Sequence, residues 1–468
     1  MSLLSGIYTQ SRALSYHSGS IDVAGKNIAN VNNPEYARQR MLVQDRGNIV
    51  VGNTIQSMGI EAGLIQQFRD SLLDTQILTE TPQTSMAEVT ADLYRQLEGY
   101  WGESINRSSD GSTLDSAQEV SASSLGLNER LDDFFNAMSE LAANPSESAL
   151  KEVVVQQSQA LVDQINDMAS NLSQFSGNID QQIDNELSDA NAILAQIAEL
   201  NIDIAQVEMR TSVGAAVDLR DARQEKVEEL SKLMDIEVTT IADSFGQIQI
   251  TAKNAANADV TLVNLGNVAD SFSFDGTNIN FGTTAMGLTG GEVQAHLDFR
   301  NGPLAELQTD IDNLASQLVT SVNAVYPGDF FTAAGTTAAT FSLDGALNST
   351  TLVASATANA GANDVAQAIY NLKNSAFSTA GGDDIDGGFN EFVINISGRI
   401  GQASKSAAVS LENQEFVQRM LENERAAQGG VDLDEEAADL IRFQRAYQAT
   451  SRVISVMDEL LQQLVSGF

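Results

Sequence analysis

The chain has no cysteine, which rules out disulfides, thiolate metal sites and cysteine nucleophiles. It has two histidines, His17 and His296, with no metal-binding spacing between them. Five prolines serve 468 residues, and none falls between Pro145 and Pro303, so that stretch is free for long helices. No apolar run approaches the roughly 20 residues that span a bilayer. The N-terminus lacks the basic, apolar and small-residue order of a cleaved secretory signal. Basic residues are few: 25 Lys and Arg face 63 Asp and Glu, for a net charge of −38. That balance repels nucleic-acid phosphates and anionic lipid, so no nucleic acid and no membrane insertion are expected. The charge is not at the ends. Residues 1–46 carry five basic and three acidic side chains, and residues 431–468 carry three and seven, which leaves about −36 between them. Near-neutral ends can pack among like chains at smaller electrostatic cost.

Catalytic signatures are also missing. There is no glycine-rich phosphate loop, no serine nucleophile elbow and no His-Glu-x-x-His motif. The run Gly381-Gly382-Asp383-Asp384-Ile385-Asp386-Gly387-Gly388 gathers carboxylates, but its spacing fits no EF-hand, and it reads as a solvated loop. No catalytic residue, cofactor or metal is expected.

What is present is periodicity at both ends. Ile7, Leu14, Ile21 and Ile28 recur every seven residues, beside a weaker track of Leu3, Gln10, His17, Ala24 and Val31. Leu440, Tyr447, Ile454 and Leu461 repeat that interval, and Phe443, Thr450, Met457 and Leu464 interleave with them. Such tracks fall on one helical stripe, the seam of a coiled coil. Chain ends ordinarily fray. Two ends with apolar seams each need a partner, and the simplest are each other and further copies of the chain. The plainer alternative is a pair of amphipathic helices docked on a globular core. His17 reads as a seam residue and His296, among Val293, Leu297 and Phe299, as a packed one. Arg442, Arg445 and Arg452 face Asp434, Glu435, Asp439 and Asp458 at helical spacings, which suits surface pairing or register-setting between subunits.

Between the ends, Met41 to Phe68 has weak strand character with four glycines and reads as a connector. Helical patterns follow from Leu72, continuing or restarting after Pro82, and again from Leu125 to Leu141. Asn144-Pro145-Ser146-Glu147 reads as a helix start, with Asn144 as N-cap. A long helix or helix pair then runs to about Arg210, with Gly177 as a break and Ile193, Ile197, Leu200, Ile204 and Val207 as its stripe. Gly214 to Asp235 turns into another helix. Residues 236–291 alternate and contain a hairpin at Asp275-Gly276-Thr277-Asn278. Helix returns to Ala324. Residues 326–388 are polar, with a short helix near Asp364 to Asn374, and are expected to complete the β domain. Helix resumes from Phe389 to Gln428, and Gly429-Gly430 hinges into the last one.

The segment Asn27-Ile28-Ala29-Asn30-Val31-Asn32-Asn33-Pro34-Glu35-Tyr36-Ala37-Arg38-Gln39 runs from helix into an Asn-rich turn, where Pro34 prevents further helix. It resembles the N-terminal signature of the bacterial flagellar axial proteins: the rod, hook and hook-associated proteins. Val431-Asp432-Leu433-Asp434-Glu435-Glu436, with Phe443 to Gln448 and Arg452-Val453-Ile454, resembles the matching C-terminal signature. Lys26, Asn33 and Glu35 stand where the family usually has Asn, Thr and Gly. Val217-Asp218-Leu219-Arg220-Asp221-Ala222-Arg223, then Leu230-Ser231, and Gly290 to Arg300 resemble signatures of its hook-associated members.

The resulting expectation is a mainly α protein with an inserted small β domain. Residues 1–70 and 431–468 would pair as a terminal coiled coil with connector. Residues 71–235, 292–325 and 389–430 would form an elongated helical bundle, and 236–291 with 326–388 an outer β-rich domain. The resemblance implies a non-enzymatic structural adaptor exported through the flagellum's own apparatus to the hook–filament junction. It implies self-association in a ring or tubular layer through the heptad residues. It also implies contacts with hook protein and with a second junction protein, hook-associated protein 3, and an export chaperone in the cytoplasm. Asn27, Asn30, Pro34, Tyr36, Arg38 and Gln39 are its signature residues. The alternative is another axial component, such as hook or distal rod protein.

Overall fold

The computed structural model describes residues 3–33, 36–51, 54–101, 126–212, 214–357 and 361–466. It is mainly helical: α1 (Leu3–Ala29), α2 (Ser71–Trp101), α3 (Leu127–Ala143), α4 (Ser148–Arg210), α5 (Val217–Leu233), α6 (Glu292–Phe299), α7 (Ala305–Val325), α8 (Asp364–Leu372), α9 (Phe389–Gly429) and α10 (Leu433–Ser466). The strands are short and antiparallel. β1 (Gln39–Asp45) pairs with β4 (Ile60–Gln67), and β2 (Asn48–Val51) with β3 (Thr54–Ser57). β5 (Glu237–Thr240), β6 (Ile248–Lys253), β7 (Asp259–Asn264) and β8 (Asn267–Val268) form one meander. β9 (Phe272–Phe274), β10 (Ile279–Phe281) and β11 (Thr284–Ala285) form another.

These elements divide into two compact units, Met1–Met86 with Asn185–Val293 and Asn413–Phe468, and Ala87–Asp184 with Gln294–Glu412. In the first unit α1 and α10 pair, the β1–β4 ladder follows α1, and the meanders lie with the C-terminal part of α4. Leu187, Leu194, Ile197 and Ile204 are its large buried apolar residues, with Ala190, Ala198 and Ala205 beside them. Asn201 and Glu208 are buried polar positions, so the stripe keeps Ile197 and Ile204 but runs one residue away from the expected Ile193, Leu200 and Val207. Gly276 supplies the positive φ of the β9–β10 hairpin, and the Asp275 carboxylate accepts the Thr277 and Asn278 amides.

The second unit is built on aromatic rings. Phe134 and Phe135 of α3 meet Phe330, Phe331 and Phe389, with centroids 5.8–6.1 Å apart, and Phe341 lies 4.6 Å from Phe331. Asn323 at the end of α7 fixes this corner. Its Oδ1 accepts the Phe330 and Phe331 amides at 3.0 Å, and its Nδ2 donates to the Phe331 carbonyl at 2.7 Å.

Several sequence expectations change here. Residues 326–388 do not complete a β domain. They contribute isolated bridges and α8, and belong to the second unit because Phe330, Phe331 and Phe341 are buried in its core. The two units therefore cut across the three expected domains. Asn144 closes α3 instead of opening α4, which begins at Ser148. α4 passes Gly177 unbroken, as α2 passes Pro82. The Pro82 carbonyl accepts the Gly291 amide at 2.8 Å. Pro303 sits in a wide turn, Arg300–Leu304, that carries the helix on from α6 to α7. In the acidic loop Asp383 and Asp386 accept the Ser378 and Thr379 amides at 2.8 Å. No cluster of three potential metal ligands occurs among the described residues.

Phe331→Ala should destabilise the second unit by about 3–5 kcal/mol through the cavity it leaves. A denaturant titration followed by circular dichroism checks this; an unchanged midpoint would mean the ring cluster is not the unit's core.

Candidate assembly interface

The inner face of α1 is made of small residues. Gly6, Ser20, Val23, Ala24 and Asn27 are buried, which lets α10 approach closely. A Cβ at Gly6 would stand 3.3 Å from the Met457 thioether, so glycine there makes room for that side chain. Tyr16 meets Phe443 edge-on, with centroids 6.2 Å apart, and His17 lies 6.5 Å from the same ring. Ser20 and Thr450 sit in the seam without stranding a hydroxyl. Each donates back to its own helix, to Tyr16 and Ala446 carbonyls at 2.9 Å.

At the base of the pair the apolar seam gives way to a buried polar knot. Asn27 Nδ2 donates to the Gln39 carbonyl at 2.9 Å and to Glu436 Oε2 at 3.0 Å. Asn27 Oδ1 accepts the Gln39 amide at 3.0 Å and the Tyr36 hydroxyl at 2.8 Å. Arg38 Nε donates to Glu436 Oε1 at 2.6 Å, and its guanidinium reaches Glu435 at 3.0 Å. Burial, with Asp221, Asp218 and Glu436 nearby, pushes the Tyr36 hydroxyl far up, so it remains a proton donor to Asn27. The main chain adds a clamp: Arg38 N–H donates to the Gly429 carbonyl at 2.9 Å, and Phe68 N–H to the Arg38 carbonyl at 2.9 Å. A Cβ at Gly429 would collide with the Phe68 carbonyl, so glycine is required there by space.

The heptad residues fall in two groups. On α10, Leu440, Phe443, Ile454, Met457 and Leu461 are half-buried on the track that carries Phe443 and Met457 to α1, whereas Tyr447 and Leu464 are exposed. On α1, Ile7, Leu14, Ile21 and Ile28 are only half-buried, because the small residues beside them make the close approach. Of the signature residues, Asn27, Tyr36, Arg38 and Gln39 converge on the knot. Asn30 donates to the Lys26 carbonyl at the helix end, and Pro34 lies outside the described residues. Arg442 pairs with Asp439 on its own helix at 2.9 Å. Leu464 instead continues a second, exposed α10 stripe with Val453, Val456 and Leu460, three residues that the heptad tracks do not include although their spacing of three and four is helical.

Residues 113–341 match the family model of the flagellar hook-associated protein FlgK helical domain. Residues 427–466 match that of the flagellar basal body rod FlgEFG protein C-terminal. Flagellar hook-associated protein 1 of Bacillus subtilis (strain 168) is 25% identical over 524 residues, which cover 99% of this chain and 98% of that protein. The Escherichia coli (strain K12) protein of the same description is 24% identical over 66% of this chain and 55% of its own length. The structure of the flagellar hook junction protein FlgK from Burkholderia pseudomallei aligns with a TM-score of 0.45 at 20% identity, over 55% of this chain and 46% of that one.

Asn27→Ala should loosen the terminal pair by about 2 kcal/mol, because it leaves the buried Gln39 amide and one Glu436 oxygen without their partner. Amide exchange in α1 and α10 should rise while exchange in α3 and α7 stays unchanged; equal protection in the variant would remove Asn27 from the knot. A pH effect follows from His17. Burial lowers its pKa below 6.5, so the folded pair disfavours the imidazolium. The contribution is fully present above the unfolded value of about 6.5 and is lost as pH falls from there through the lower folded value. The protection of α1 amides relative to their intrinsic exchange at each pH should therefore fall from pH about 7 to about 5.5, and His17→Phe should flatten the dependence.

Proposed function

Because the chain belongs to the flagellar hook-associated protein 1 family, we propose that it is a structural adaptor of the bacterial flagellum, joining hook to filament through its terminal helices. One observation supports this more than any other. Within a single chain α10 buries only Glu436 and Thr450 among its described side chains. Val456, Leu460 and Leu464 remain 54%, 47% and 55% exposed, and Tyr8 of α1 is 69% exposed. A helix pair with uncovered apolar stripes is an incomplete core, and each stripe gains about 25 cal/mol per Å² once a neighbour covers it. The near-neutral ends let like chains approach, while the acidic middle keeps free chains apart.

In this reading copies associate in a ring or tubular layer, with α1 and α10 of one copy covering the stripes of the next. Hook protein meets one side of the layer, and a second junction protein, hook-associated protein 3, meets the other. Before export a cytoplasmic chaperone covers the α10 stripe, and the chain is then secreted through the flagellum. The role is mechanical, with no catalytic step and no cofactor. A rod or hook protein would share the terminal helices; the likeness of residues 113–341 to the junction protein's helical domain favours the adaptor.

Leu460→Asp and Ile454→Asp test the two faces of α10. Leu460 is exposed in the single chain, so its variant should keep the monomer's thermal unfolding and lose assembly, at a cost of several kcal/mol for a buried charge. Ile454→Asp should loosen the α1–α10 pair as well. Cells carrying either should build hooks, release flagellin and still export the variant chain to the medium. Normal filaments with Leu460→Asp would exclude that stripe from the interface. Limited proteolysis of the free chain should likewise trim α1 and α10 first, and a chain resistant along its whole length would contradict their incompleteness.

A further inference from the structure

The run Val217 to Arg223 has a geometric reason that the axial role does not supply. α5 is bipolar. Asp218, Asp221, Glu225 and Glu228 lie on one ridge at helical spacing, and Arg220 and Arg223 lie on another. The basic ridge anchors α5 to the body of its unit. Arg220 holds the fully buried Glu208 carboxylate of α4 through two bonds, 2.8 and 3.0 Å. Arg223 donates to Asn201 Oδ1 at 2.7 Å and to the Gly246 carbonyl in the β5–β6 turn at 2.8 Å.

The acidic ridge faces the chain passages into the terminal pair. The chain leaves that region through residues 68–71 and re-enters it through 429–433. An arginine flanks each passage. Arg69 reaches Asp221 at 3.3 Å and Asp74 at 3.6 Å, and Arg425 reaches Glu228 at 2.9 and 3.1 Å. All five side chains are less than a fifth exposed. A third, outer contact joins Asp218 to Lys26 at 2.6 Å and to Gln39 Nε2 at 3.1 Å. It is solvent-exposed and contributes little by itself.

We propose that α5 is a charge-held clasp: locked to α4 by its basic ridge, it grips Arg69 and Arg425 with its acidic ridge and so sets how the terminal helices seat on the body. Such a joint differs from apolar packing. Close-packed side chains have one fit, but a long guanidinium can follow its acid by changing rotamer. Arg69 already lies between two carboxylates, one hydrogen-bonded and one an ion-pair contact, so a shift of its passage trades Asp221 for Asp74 without stranding the charge. Desolvation raises the Asp221 carboxyl to about 6 despite Arg69, and its Oδ2 has no hydrogen-bond partner. The clasp concerns the single chain and stands whether or not the adaptor reading does.

The test is amide exchange on the purified full-length chain. Arg425→Gln, Glu228→Gln and Arg69→Gln should each raise exchange in β1, β4 and the first turns of α10 about tenfold, the opening that loss of one charge-assisted bond allows. Exchange in α4 should not change. The reversed pair, Arg425→Glu with Glu228→Arg, should return to within about threefold of the parent, since it restores the attraction with opposite polarity. Three results would overturn the clasp. One is unchanged exchange in the single variants. Another is a reversed pair worse than either single variant. The third is exchange in α4 rising as much as in β1 and β4, which would make these residues ordinary core members.

Discussion

Asn27 is the side chain on which the terminal region depends. It stands where an apolar seam must end and the chain must turn, a place where four backbone and side-chain groups lose water together. A carboxamide suits that place because it both donates and accepts. Its two donor hydrogens serve the Gln39 carbonyl and Glu436, and its oxygen serves the Gln39 amide and Tyr36. Glu436 comes from the other end of the chain, 409 residues away. Buried polar groups are costly unless every partner is present. The knot therefore closes only when α1, the turn after it and α10 are all in register, which apolar helices alone do not enforce. Arg38 extends the same logic by neutralising Glu436 and by tying its own amide to Gly429.

The first unit repeats this device away from the seam. Glu208 and Asn201 occupy buried positions on α4 where a continuous apolar stripe would be the simpler solution. Each is matched by an arginine of α5, and the acids of α5 are matched by arginines at the chain passages. Replacing such pairs with apolar residues is often neutral or stabilising in other proteins. Their value here is directional: each pair fixes one element against one other. The second unit contrasts with this. Its core is a cluster of phenylalanines, held at one corner by Asn323, and its ion pairs, Arg300–Asp180, Lys373–Asp132 and Arg399–Asp310, lie around that core.

Periodic features were the legible ones. The heptads at both ends, the Gly429-Gly430 break, the Asp275-Gly276 hairpin and the helix boundaries near Arg210 and Val325 follow from spacing and turn chemistry, and they lie close to where the sequence puts them. Features set by tertiary burial were not legible. Leu200 and Val207 look like core and are not, because Asn201 and Glu208 take the buried positions with partners 12 to 47 residues away. Ile7, Leu14, Ile21 and Ile28 look like the closest seam, but glycine, serine and alanine beside them permit a nearer approach. Asn144 fits a helix start equally well as a helix end, and only the placement of its neighbours decides. Residues 326–388 read as polar filler, yet Phe330, Phe331 and Phe341 within them complete a core drawn from distant segments.

The half-buried isoleucines connect these points. If α1 used them as its inner face, bulky β-branched residues would set a wider separation from α10, and little apolar surface would remain outside. Small inner residues produce the opposite arrangement. The two helices sit close, and the larger side chains are displaced to the flanks of the pair, where a neighbouring copy can reach them. The sequence thus divides the work between two sets of positions on one helix. Glycine, serine and alanine line the pair within a chain, and isoleucine and leucine stay half-buried on its flanks, where the proposed assembly would cover them. The polar knot at the base fixes how the two helices are rotated against each other. Without that fixed rotation, an exposed apolar stripe would be a liability for aggregation rather than a defined contact.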